Sequence, residues 1–126
     1  MRRPGSVDED GDTAFTLACR WADLETVMLL VELGADINKT DQCGRNGLMI
    51  AARFRRNNII KYLNDKNNQL INAEDENGET ALTIAREGCL IWEVDDTVKL
   101  LLELGADINK TDQYDRNVLR FAQTNW

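Results

Sequence analysis

The sequence contains no histidine and a single proline. Without histidine there is no mixed Cys/His zinc site and no imidazole acid or base, so proton transfer would fall to carboxylates. The three cysteines, Cys19, Cys43 and Cys89, are odd in number and lack paired spacing. They read as free thiols in a reducing compartment, cytoplasm or nucleus. No apolar run approaches the ~18 residues that span a bilayer, and Met1-Arg2-Arg3-Pro4 leads into no hydrophobic segment, so no membrane association is expected. Positive charge is also scarce. Fifteen Lys and Arg against 22 Asp and Glu leave a net charge of −7, which argues against nucleic acid or anionic lipid as a partner.

What is present is repetition. Glu32 to Gln42 reads ELGADINKTDQ, and Glu103 to Gln113 reads the same eleven residues 71 positions later. Gly11, Gly44 and Gly78 are spaced by 33 and 34 residues, and each is followed two positions on by Thr13, Asn46 or Thr80; Asp115 and Asn117 continue the series. A period near 33 implies a stacked array in which each unit buries apolar surface only against its neighbours.

Within each period the pattern predicts two short helices. Thr13, Asn46 and Thr80 are placed to cap the first, and Asp23 the second of the opening unit. The inner helices are expected over about 14–21, 47–54, 80–87 and 117–125, the outer ones over about 24–33, 58–65 and 96–104. Leu24, Val27, Leu30 and Val31 recur at helical spacing as core, followed by Gly34 as the positive-φ residue that ends the helix. Ile59, Ile60, Tyr62 and Leu63 repeat this in the second unit, and Val98, Leu101 and Leu102 in the third. The second unit ends in Lys66-Asn67-Asn68-Gln69 instead of Gly-Ala-Asp. Asn67 or Asn68 is expected to take the left-handed conformation there, leaving a weak, mobile corner. The connection Gly88 to Val94 is three residues longer than its counterpart and apolar. It either folds Leu90 or Trp92 onto the stack or forms a binding loop.

Several of these segments resemble the ankyrin repeat. Gly34-Ala35-Asp36-Ile37-Asn38 and Gly105-Ala106-Asp107-Ile108-Asn109 match its Gly-Ala-Asp-Val-Asn turn, and Leu24-Glu25-Thr26-Val27 matches its Leu-Glu-Ile-Val helix. Thr13-Ala14-Phe15-Thr16-Leu17-Ala18 and Thr80-Ala81-Leu82-Thr83-Ile84-Ala85 are degraded copies of its Thr-Pro-Leu-His-Leu-Ala signature. The resemblance implies an all-α ankyrin-repeat solenoid of stacked helix-turn-helix units with hairpin-like finger loops. Residues 1–7 fit no part of it and read as a tag or disordered leader. Residues 8–126 form the repeat domain, with units of about 8–40, 41–74 and 75–111 and a partial unit, 112–126. The family's proline is replaced by Ala14, Gly47, Ala81 and Val118, and the histidine that ties neighbouring units together by Thr16, Met49, Thr83 and Arg120. Only the threonines could imitate part of that network, so a less stable array than an idealised one is expected.

The resemblance further implies a non-catalytic module that binds a protein partner through its concave face. Carried onto this sequence, the partner-binding residues are Arg20, Trp21, Gln42, Arg45, Arg53, Phe54, Glu76, Glu79, Gln113, Tyr114 and Arg116, with Trp92 in the long connection. Trp21, Phe54 and Tyr114 would be aromatic anchors flanked by arginines, the residue types that dominate binding energy. Arg53, Arg55 and Arg56 form a basic cluster that suits an acidic protein partner or simple solvation. No catalytic, cofactor or metal site is expected. Asp8, Asp10 and Asp12 lack the glycine and closing carboxylate of a calcium loop. Glu74, Glu76 and Glu79 are expected in solvent-facing fingers, where burial does not tune a pKa. The incomplete last unit, near Leu119, Phe121 and Trp126, leaves a structural role as the second reading, as a segment of a longer repeat array or as a self-associating scaffold.

Overall fold

The computed structural model describes residues 14–87 and 96–109. The leader, the acidic turn before Ala14, the long connection with Trp92, and Gln113, Tyr114, Arg116 and the last inner helix lie outside the described residues.

Six α-helices occupy the described residues, with no strand among them: α1 Ala14–Trp21, α2 Leu24–Glu32, α3 Gly47–Arg53, α4 Asn57–Lys66, α5 Ala81–Glu87 and α6 Asp96–Glu103. The inner helices α1, α3 and α5 stack side by side, and the outer helices pack behind them. Because α3 has α1 on one side and α5 on the other, Gly47 to Ala52 are buried all round. A helix in that position needs no polar face. The approach of α1 is close. A Cβ on Gly47 would sit 2.8 Å from Phe15 Cε2 and 2.9 Å from Cys19 Sγ. Burial also pushes the Cys19 thiol up to about 12, an effect the nearby Arg56 guanidinium only partly offsets.

The helix ends follow local chemistry. Asp23 accepts from the Thr26 N–H and Asn46 from the Met49 N–H, each satisfying an orphan donor of a first turn. At the other end, α2 and α6 finish alike. Gly34 and Gly105 take φ of 99° and 106°; the glycine N–H and that of the following alanine turn back to Val31 and Leu30 O, or to Leu102 and Leu101 O. The same 6→1 and 5→2 pair closes α3, where Arg56 N–H bonds Ala51 O and Arg55 N–H bonds Ala52 O. Here the left-handed residue is Arg55, at φ 57°, and no glycine stands there.

The corner after α4 departs from expectation. Neither Asn67 nor Asn68 is left-handed; Asn67 is extended at φ −153°, and Asn68–Asn72 form a 3-10 turn that buries Leu70 and Ile71. Amide side chains tie this turn on both sides. Asn67 Nδ2 donates to Asn38 Oδ1 of the first unit at 2.9 Å, while Asn72 donates to Gly105 O at 3.2 Å and accepts from the Asp107 N–H. The asparagines serve here through amides that reach the neighbouring turns, Asn67 to the first unit and Asn72 to the third, and not through tolerance of positive φ. The hydroxyl of Thr83 likewise bonds within its own helix start, accepting from Thr80 N–H and donating to Thr80 O. It does not bridge units as the lost histidine would.

The finger loops are built on aspartate. Asp41 Oδ1 accepts from the N–H groups of Cys43 and Arg45, and Asp75 Oδ1 from those of Asn77 and Glu79. Gly44 and Gly78, at φ 78° and 76°, complete the turns. Successive tips are joined by Glu76 N–H to Cys43 O, 3.1 Å, and by the Arg45–Asp75 ion pair at 3.7 Å.

Candidate functional site

The C-terminal ends of the inner helices carry Arg20, Trp21, Arg53 and Phe54, and the fingers carry the other described candidates. On α1, Phe15, Thr16, Ala18 and Cys19 are buried, leaving Ala14, Leu17 and Trp21 along the opposite side. Trp21 is 70% exposed. In the next unit Phe54 follows α3 directly and is 42% exposed. The two rings meet at the surface with centroids 6.1 Å apart and planes tilted by 36°. The guanidinium of Arg20 lies 5.8 Å from the Phe54 centroid, a cation–π arrangement. Arg53, exposed, precedes Phe54 as Arg20 precedes Trp21. An aromatic pair of this size left in water is costly without a ligand and well suited to one.

The finger residues divide. Gln42 and Glu76 are exposed, and Arg45 is half-buried in its ion pair with Asp75. Glu79 requires a correction. It is 2% exposed, drawn under its finger because its N–H and C=O both bond Asp75, so its carboxylate is not in a solvent-facing loop. The basic cluster is corrected too. Arg55 donates to Ala52 O at 3.1 Å and to Ala85 O at 2.6 Å, and Arg56 to Arg20 O at 2.9 Å and to Ala22 O. These two side chains satisfy carbonyls at the ends of three inner helices and so link all three units. Only Arg53 of the cluster faces solvent. The one signal in the sequence was the missing glycine after Phe54, where a helix of this type needs a left-handed residue.

A shallow cleft of about 250 Å³ lies between the first finger and the 3-10 turn, lined by Asn38, Thr40, Asn46, Asn67, Leu70 and Glu74. None of the partner-binding residues set out above lines it. Among the described residues no group of three or more His, Cys, Asp or Glu is gathered to hold a metal ion, and Cys19 and Cys43 are free. No helix among them is long and apolar enough to cross a membrane.

A family model described as ankyrin repeats, three copies, matches residues 17–112. The chain belongs to the ankyrin repeat family. The proteins it is similar to are diverse. Alpha-latrotoxin-Lg1a of Latrodectus geometricus is 29% identical over 130 residues, covering 99% of this chain and 9% of the toxin. Human Rabankyrin-5 is 30% identical over 132 residues, 98% of this chain and 11% of that protein. An ankyrin repeat protein of Acanthamoeba polyphaga mimivirus is 46% identical over 68 residues, 53% of this chain and 12% of its own length. The chain thus spans about a tenth of these relatives. Ankyrin repeats are in general non-catalytic and serve as protein–protein interaction modules.

Proposed function

We propose that the chain binds a protein partner through the concave face of its ankyrin stack, without catalysis and without a cofactor. The observation that carries this is the exposed Trp21–Phe54 pair at the ends of two adjacent inner helices, held beside Arg20 and Arg53. Gln42 and Glu76 extend the surface onto the fingers, and Gln113, Tyr114, Arg116 and Trp92 are further members of the proposed set. The repeat domain is taken to run from residue 8, and the free thiols of Cys19 and Cys43 suit work in the reducing cytoplasm.

Selection of binders from a displayed random-peptide library against the full chain tests this reading. Binders are expected to lose at least about tenfold in affinity on the double substitution Trp21→Ala, Phe54→Ala, and to keep it on Lys61→Ala, on the outer surface of α4. Binders indifferent to the aromatic pair would reject the face.

A second reading, assembly with another repeat stack, is favoured by Leu29 on α2 and Leu33 at its C-terminal cap, both large apolar side chains left exposed. Molar mass by light scattering over a concentration series separates the two. A rise with concentration that Leu29→Lys abolishes would support assembly, and a constant mass near 14.3 kDa would remove it.

A further inference from the structure

We propose that the Arg20-Trp21 and Arg53-Phe54 ladder recognises an extended acidic peptide segment that carries a large apolar side chain. This rests on the reading of that face as the binding surface and names the class of partner.

The argument begins with the arginines. Arg45 pairs with Asp75, while Arg55 and Arg56 are spent on helix-end carbonyls. Among the described residues no carboxylate pairs with Arg20 or Arg53. The nearby acid Asp23 is engaged with the Thr26 N–H, at 2.9 Å. Two arginines without an acidic partner among the described residues are therefore each joined in sequence to an exposed ring, on a chain of net charge −7. The arginine–aromatic dipeptide occupies the same position in two consecutive units, and the third has Glu87-Gly88 in register, so the ladder is two units long.

Charge complementarity selects an acidic occupant, and the paired rings offer an apolar surface on which a large apolar side chain packs. Their spacing also fits an extended backbone. Side chains on one side of a strand recur every ~6.6 Å, close to the 6.1 Å between the ring centroids. A carboxylate flanking the apolar residue then meets an arginine in bidentate geometry. Nucleic acid could also stack on such rings, but two arginines supply little counterion release and the chain's overall charge opposes it.

The test uses the full chain and fluorescein-labelled short peptides: Asp/Glu-rich around a central Trp, the same with Lys for the acids, and the same with Ala for Trp, alongside an oligothymidylate. Anisotropy is expected to show the acidic Trp peptide binding at least about tenfold tighter than the other three probes. Arg20→Gln with Arg53→Gln should weaken it about tenfold and flatten its salt dependence. Arg53 is exposed and Arg20 half-buried, and far-UV circular dichroism is expected to show an unchanged fold. No binding by the acidic peptide, equal binding by the Lys peptide, insensitivity to the arginine substitutions, or tighter binding of oligothymidylate would each overturn the proposal. The two readings fail differently. A Lys peptide that binds and is lost with Trp21→Ala keeps the face and removes the acidic class. An acidic peptide indifferent to both Trp21→Ala and Phe54→Ala removes the face itself.

Discussion

Helices α2 and α6 run into the same ELGADIN turn, yet they sit differently in the molecule. Leu100 is 9% exposed and its counterpart Leu29 is 53% exposed. Thr97, one turn before Leu100 and on the same side, is buried and donates to Asn57 of α4 at 2.7 Å, while the matching Thr26 is exposed. The second unit therefore covers this side of α6, and among the described residues no unit covers it on α2. What differs is the neighbour and not the residue. In a stacked array, stability accrues at the interface between units, so one leucine has two energetic meanings.

Substitution of the leucines should produce the largest contrast. Leu100→Ala is expected to cost about 2–4 kcal/mol through lost burial and a residual cavity, and Leu29→Ala under about 1 kcal/mol, both by urea denaturation. Equal costs would mean that α2 is covered in solution. Next comes the unit between them, where Arg55 supplies after the inner helix α3 the left-handed residue that Gly34 and Gly105 supply after α2 and α6. Arg55→Ala should destabilise by about 2 kcal/mol, because it keeps the left-handed strain and removes charged bonds to two helix ends. Arg55→Gly, which relieves the strain, should lose less.

Gly34→Ala and Gly105→Ala sharpen the comparison from the other side. An added Cβ meets nothing within 4 Å at either position. The cost is therefore backbone strain alone, about 1 kcal/mol and the same in both helices. A clear inequality would mean that the stack, and not the turn, sets it. The smallest effect belongs to the cap of α2. The Thr26 N–H holds the Asp23 carboxyl below its ordinary value. Its stabilising contribution is thus fully present above the unfolded-state value and lost as pH falls through the lowered folded one. The Thr26 amide shift followed by NMR should titrate in that acid range and stop doing so in Asp23→Asn.

Much of this was legible in the residues. Asp23 and Asn46 cap because a short acceptor before an apolar run satisfies first-turn donors, and Gly34 ends α2 because only glycine takes its φ without strain. Trp21 and Phe54 could be placed at helix ends by counting along the period. Glu79 was misplaced because its depth follows from the aspartate that folds the finger around it. Arg55 and Arg56 were misplaced because their acceptors lie in other units, up to 36 residues away.

The sequence by itself determined the period, the paired helices, their caps and their glycine stops, all of which depend on interactions within a few residues. Tertiary structure alone decided which of two equivalent leucines is core, which arginines are spent on helix ends, and that the rings of Trp21 and Phe54 come together. Each of these depends on what the adjacent unit places within a few ångströms, and no local pattern records the chemistry of that neighbour.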